Sequence, residues 1–217
     1  PDLERMHPDV RTYPDFDEQL KRAMRQETEL FFEYLVRQDR GLLELLTADY
    51  TFLNERLAKH YGVPGIVGTE FRRVNYPPDN TRRGILGHGS VLTLTSHANR
   101  TSPVLRGKWV MEVLLGSPPP PPPPNVPDLD ETNVAEDGRL LSVRERMEQH
   151  RSSPACSSCH RMMDPIGLAL EYYDVTGARR IRDNGAPIDA TSELFDGSPL
   201  HSTADLRIAL LRRPEPI

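Results

Sequence analysis

The stretch "ACSSCHRMMDPIGLALEYYD", residues 155–174, decides how this chain is read. It holds both cysteines of the 217 residues, Cys156 and Cys159, and sets His160 directly behind the second. The spacing C-x-x-C-H is the attachment pattern of a c-type haem. Two thiols add to two vinyl groups on one porphyrin edge, and the adjacent imidazole reaches the iron from the proximal side. Three rivals are weaker. A zinc site needs four ligands, and no second Cys/His pair stands at knuckle spacing. A thioredoxin-like pair follows a strand in a βαβ unit, whereas the flanks here read as helical. A disulfide across two residues is strained. The motif uses every thiol in the chain, which makes a chance occurrence less expected and suits an oxidising compartment, periplasmic or extracellular.

Working outward, a cytochrome that carries electrons wants a second axial ligand. Met162 and Met163 are tethered to the same side of the ring as His160 and are rejected. His150, on the preceding helix, has the shortest route to the distal face, and His97 in "TSHANRTSP" is the weaker candidate. Met147, Met111, His201 and an open iron complete the alternatives. Arg106, Arg179 and Arg180 are candidates to pair with haem propionates through charge-assisted bonds.

Upstream, Phe16, Leu20, Met24, Phe31, Phe32, Leu35 and Val36 recur at helical spacing between Asp15 and Arg40, which predicts a long amphipathic helix ended by Gly41. "LLELLTADYTFLNERLAKHYG" reads as a second helix folding back on it, closed by Gly62 and Pro64. "FRRVNY" alternates like a short strand. Ser102-Pro103 opens a helix that runs to Gly116. Pro118 to Pro124 form a stiff polyproline strut. Beyond it, Ser142 and Glu145 make a capping box, a short helix is expected from Pro165, Asn184-Gly185 marks a hairpin, and the last segment, "TADLRIALLRRPEPI", reads as a helix cut off from whatever it packs against.

The fold class expected is mainly α. A helical domain spans 1–117, a Pro-rich linker 118–138, and a small c-type haem domain 139–217 with one or two short β-hairpins, incomplete at its C-terminal end. A net charge of -5 and a pI near 5.8 offer no basic field for nucleic acid. No apolar run approaches the roughly 20 residues of a membrane span. The opening "PDLERMHPDV" has no signal-peptide pattern from which export could be read, and opening and closing on bare Pro/Asp/Glu-rich text reads as a piece of something longer.

Three stretches, "ADYTFLNERLAKHYG" (48–62), "RRGILGHGSVLTLTSHANRTSPVLRGKWVMEVLLGSPPPPPPPNVP" (82–127) and "VRERMEQHRSSPACSSCHRMMDPIGLALEYYDVTGARR" (143–180), resemble the planctomycete-type cytochrome c-like proteins, large exported multidomain proteins of bacteria. The resemblance implies one haem c attached through Cys156 and Cys159, with His160 as proximal ligand. It also implies a histidine at the position of His150, an Asp-Pro at Asp164-Pro165, and further domains or subunits around this piece. The leading expectation is single-electron transfer with a redox protein or neighbouring haem domain. The alternative is peroxide chemistry or sensing at an open iron, with His97, His88 or Glu171 nominated as acid or base. A polymer-binding or hydrolytic role is the third reading, since "GHGS" at 87–90 lacks the G-x-S-x-G spacing.

Overall fold

The computed structural model describes residues 3–121, 134–135, 138–150 and 154–212, with the side chains of 150 and 154–159 outside that description. The chain is mainly helical, with short two-stranded antiparallel sheets. It separates into two compact units, one of Pro1–Asn99 with Tyr173–Arg179, the other of Arg100–Tyr172 with Arg180–Ile217. The chain passes from one unit to the other at Asn99–Arg100, Tyr172–Tyr173 and Arg179–Arg180. Residues 122–133 of the linker lie outside the described residues.

In the first unit α1 (Glu18–Arg37) starts at Asp17, whose carboxylate accepts the Leu20 amide at 2.7 Å. Leu20, Ala23, Met24, Phe31 and Leu35 make its buried stripe. The helix ends before Gly41, because Asp39 takes the left-handed conformation itself (φ 48°). The second helix expected from the sequence is interrupted. α2 (Glu44–Thr47) gives way to β1 (Tyr50–Leu53), which pairs antiparallel with β2 (Arg72–Asn75), Tyr50 opposite Asn75 and Leu53 opposite Arg72. Aromatic and β-branched residues in "YTFL" fit a strand once a partner is at hand, and the long-range pairing overrides the local helical pattern. α3 (Glu55–Tyr61) then opens on Asn54 and closes on Gly62 at φ 71°. A 3-10 turn (Ile85–Gly87) then leads into α4 (Gly89–Leu94).

In the second unit α5 (Pro103–Trp109) begins on Ser102 and continues through a π-helical turn (Val110–Leu114) to Gly116. α6 (Val143–His150) has the expected capping box, with Glu145 accepting from the Ser142 amide at 2.8 Å and Ser142 from the Glu145 amide at 3.3 Å. α7 (Pro154–Leu168) runs straight through Pro165, so the short helix expected to start there is the last turn of the cysteine helix. Proline already has helical φ, and its cost is the one hydrogen bond that the Arg161 carbonyl loses. The Asn184-Gly185 turn joins β3 (Arg182–Asp183) to β4 (Ala186–Pro187), both turn residues at positive φ as that hairpin requires. A second hairpin, β5 (Ser192–Glu193) with β6 (Pro199–Leu200), precedes α8 (Thr203–Leu211).

Candidate functional site

α7 carries the whole C-x-x-C-H motif. At 3.6 residues per turn, Cys156 stands one turn before His160 and Cys159 beside it. The cysteine side chains and that of the distal candidate His150 lie outside the described residues. His160 is described. Its Nδ1 lies 2.9 Å from Oδ1 of Asp164, one turn further on the same face, and the Asp164 side chain is 0 % exposed against 15 % for the imidazole. A carboxylate at this distance accepts from Nδ1–H, and in the neutral imidazole that arrangement places the lone pair on Nε2. That tautomer is the one a metal-bound histidine needs. One ring nitrogen in ligating form, with two thiol-bearing residues within a turn of it, is a donor set that fits a c-type haem.

Two glycines set the position of this helix. A Cβ on Gly167 would stand 1.8 Å from the Pro103 carbonyl oxygen, and one on Gly107 would stand 2.0 Å from that of Met163. The pairs 103/167 and 107/163 place α5 antiparallel to α7 with backbone against backbone. Asp164 lies in the turn between the two contacts.

Glu171, just past α7, organises the rest. It is 5 % exposed and accepts from Arg106 (3.1 Å, 0 % exposed), from Arg180 (2.6 Å) and from Thr101 (2.8 Å). Arg106 also donates to the Leu170 carbonyl at 2.8 Å. Arg180 reaches Asp183 at 2.9 Å, and Asp183 accepts the Val143 amide at 2.7 Å, at the first turn of α6. Two guanidiniums and two carboxylates balance, which is what makes their burial tolerable. Arg106 and Arg180, nominated above for propionates, therefore direct their donors to a carboxylate of the chain itself. Arg179 is exposed and belongs to the first unit.

The other candidates are dispersed. His97 is exposed in the first unit and His201 exposed in the second, while Met147 and Met111 are buried in the second. His88 is buried in the first unit, where Nδ1 lies 3.0 Å from Thr28 Oγ1, itself 2.7 Å from Ser90 Oγ. Burial, reinforced by the charge of Arg82, lowers the His88 pKa to about 3. The "GHGS" histidine and serine thus sit in an interior hydrogen-bond network, 2 % and 5 % exposed.

Two groups do not stand out in the sequence. Asp164 reads there only as part of an Asp-Pro, although its i, i+4 spacing from His160 is the available signal. The other is a buried cluster in the first unit. Glu27 accepts from Thr51 and Tyr61, each at 2.6 Å, and Tyr61 accepts the Gly89 amide at 2.7 Å. Arg82 stacks over Tyr61 at 3.7 Å and donates to the carbonyls of Gly87 and Gly177. Its signal was a glutamate inside the apolar stripe of α1.

The fold and the site define a mainly helical protein of two units, the second built around a helix that bears a cysteine pair and a carboxylate-held histidine. Residues 82–183 match the family model PSCyt3, described as a protein of unknown function (DUF1588), and residues 1–63 match PSD4, likewise of unknown function (DUF1592). Both domains are characteristic of planctomycete cytochrome c-like proteins. The first covers α7 with His160 and Asp164 and extends to Asp183. Comparison with curated proteins and with solved structures gives no match. Among the described residues no helix is long and apolar enough to cross a membrane.

Proposed function

We propose that this chain is a c-type cytochrome module, holding one haem through Cys156 and Cys159 with His160 on the iron, and that it transfers single electrons outside the cytoplasm. The observation that carries the reading is the 2.9 Å bond from His160 Nδ1 to the buried Asp164, the contact expected of a histidine that ligates through Nε2. When bound, the haem supplies a one-electron Fe(III)/Fe(II) couple. The chain's own contribution is orientation. Asp164 fixes the imidazole, Gly107 and Gly167 fix α7, and the Glu171 network ties the segment after α7 to the starts of α5 and α6. Covalent attachment retains the group in an oxidising exterior compartment, where a redox protein or a neighbouring haem domain is the partner class.

One observation favours a second reading, peroxide chemistry at an open iron: a carboxylate-bonded histidine is a stronger donor than a carbonyl-bonded one. Two of the acid-base groups nominated for it are otherwise engaged, since His88 is enclosed in the first unit and Glu171 is bound by two arginines. Electron transfer with six-coordinate iron predicts a low-spin optical spectrum, for oxidised and reduced protein alike, that carbon monoxide leaves unchanged. A high-spin reduced form that binds carbon monoxide, with peroxide turnover that survives removal of free haem, would replace it with the second reading.

A further inference from the structure

We infer that Asp164 is a positioning residue that lends His160 anionic character and so holds the attached iron at a low reduction potential; the inference rests on the haem reading and extends it to how the site is tuned. Three observations carry it. The carboxylate lies 2.9 Å from Nδ1 and is itself fully enclosed. It is placed by helix geometry, one turn from His160, so no loop motion is needed to bring the pair together. Met163 on one side and Gly167 on the other are in backbone contact with α5, which keeps this turn from shifting.

A charge-assisted bond in a dry environment is shorter and stronger than one to a neutral acceptor, because little water screens it. Its effect passes through the ring. A full negative charge on the acceptor draws the Nδ1 proton outward and raises electron density at Nε2, which makes the imidazole more basic toward a metal. A more basic axial ligand favours the ferric over the ferrous state, and second-shell bonding of this kind is one of the levers by which a protein sets a haem potential. A helix needs no carboxylate at this position for its own stability, and enclosing one is unfavourable unless it has a donor to serve.

The test uses the matured protein and Asp164→Asn, which keeps an acceptor oxygen but removes the charge, with Asp164→Glu as the conservative rescue. Haem content is measured first, then midpoint potential and the electron paramagnetic resonance g-values of the low-spin ferric iron, whose spread narrows as the axial imidazole becomes a stronger donor. The expected result is normal haem content in Asp164→Asn with about a tenfold shift of the redox equilibrium toward the reduced state, about 59 mV for a one-electron couple. The g-value spread widens, and Asp164→Glu recovers part of both changes. A merely structural role would alter haem content or stability and leave the potential of the matured fraction in place. If Asp164→Asn does not mature, the wild-type g-values decide: a narrow, imidazolate-like spread supports the inference and an ordinary neutral-imidazole spread overturns it. Haem-loaded Asp164→Asn with wild-type potential overturns this inference alone, whereas wild type without haem overturns the haem reading and this inference with it.

Discussion

Gly167→Ala is expected to destabilise the second unit by about 3 kcal/mol or more, read from denaturant unfolding followed by Trp109, the chain's only tryptophan, which lies in α5. The sign is not obvious from helix propensity, since replacing glycine by alanine inside a helix gains roughly 1 kcal/mol. The overlap decides it. An added Cβ would lie 1.8 Å from the Pro103 carbonyl oxygen, and the atoms it meets are backbone, which has no alternative rotamer. α5 and α7 have to separate, and the core between them opens. Gly107→Ala meets the Met163 carbonyl at 2.0 Å and should behave alike. Gly41→Ala, with nothing within 4 Å of its added Cβ, is the control and should shift stability by under about 1 kcal/mol. Unchanged stability in Gly167→Ala would mean that the close crossing is not a feature of the folded protein. The same change should reduce haem incorporation, because the helix that bears the attachment motif loses its support.

The second large effect is a dependence on pH in the first unit. Glu27 is enclosed, and burial raises its pKa from 4.5 to about 7 against the opposing pull of Thr51, Tyr61 and Arg82. A carboxyl with a raised folded-state pKa binds its proton more tightly in the native than in the unfolded chain. The stability it contributes is complete below about pH 4.5 and is lost as pH rises to about 7, a total of about 3 kcal/mol. His88 works the other way. Its lowered pKa of about 3 means that the unfolded chain takes up the proton first, so stability is lost as pH falls from about 6.5 toward 3. The two slopes oppose each other between about pH 4.5 and 6.5, and wild type alone would show little net trend there. Glu27→Gln separates them. It keeps an acceptor for Tyr61 and a polar group for Thr51 without the ionisation. Hydrogen exchange of the α1 amides should show Glu27→Gln overtaking wild type progressively between pH 5 and 8, by about 3 kcal/mol at the upper end. A difference that stays constant with pH would show that Glu27 titrates normally in the folded protein.

Much of this architecture is local and was therefore legible. Ser102-Pro103, the Ser142/Glu145 box, Gly62 and Asn184-Gly185 are signals that act within four residues, and each sits where its chemistry predicts. What escaped depends on partners distant in the chain. "YTFL" becomes a strand only because "RRVN" lies alongside it, and Arg106 turns inward only because Glu171, 65 residues later, is there to receive it. Glu27 follows the same rule, since a charged residue in an apolar stripe is read as an exception until its tyrosine and threonine partners are placed. Asp164 was legible in spacing but not in meaning, because the same i, i+4 pair on a solvent-facing surface would be worth a few tenths of a kcal/mol and carry no role. Burial is what sets the His160–Asp164 pair apart from such a surface pair. The grouping of α5 with α7 also lies beyond sequence periodicity, which does not mark glycines that two helices share.

The central claim is one haem bonded to the lone cysteine pair. Intact mass under denaturing conditions, together with the pyridine haemochrome spectrum, tests it on protein produced with a c-type maturation system. The account predicts a chain heavier than its polypeptide by one haem, a c-type spectrum with one haem per chain, and loss of both when Cys156 and Cys159 are replaced by alanine. A colourless protein with the bare polypeptide mass, produced alongside a control cytochrome that matures normally, would contradict it.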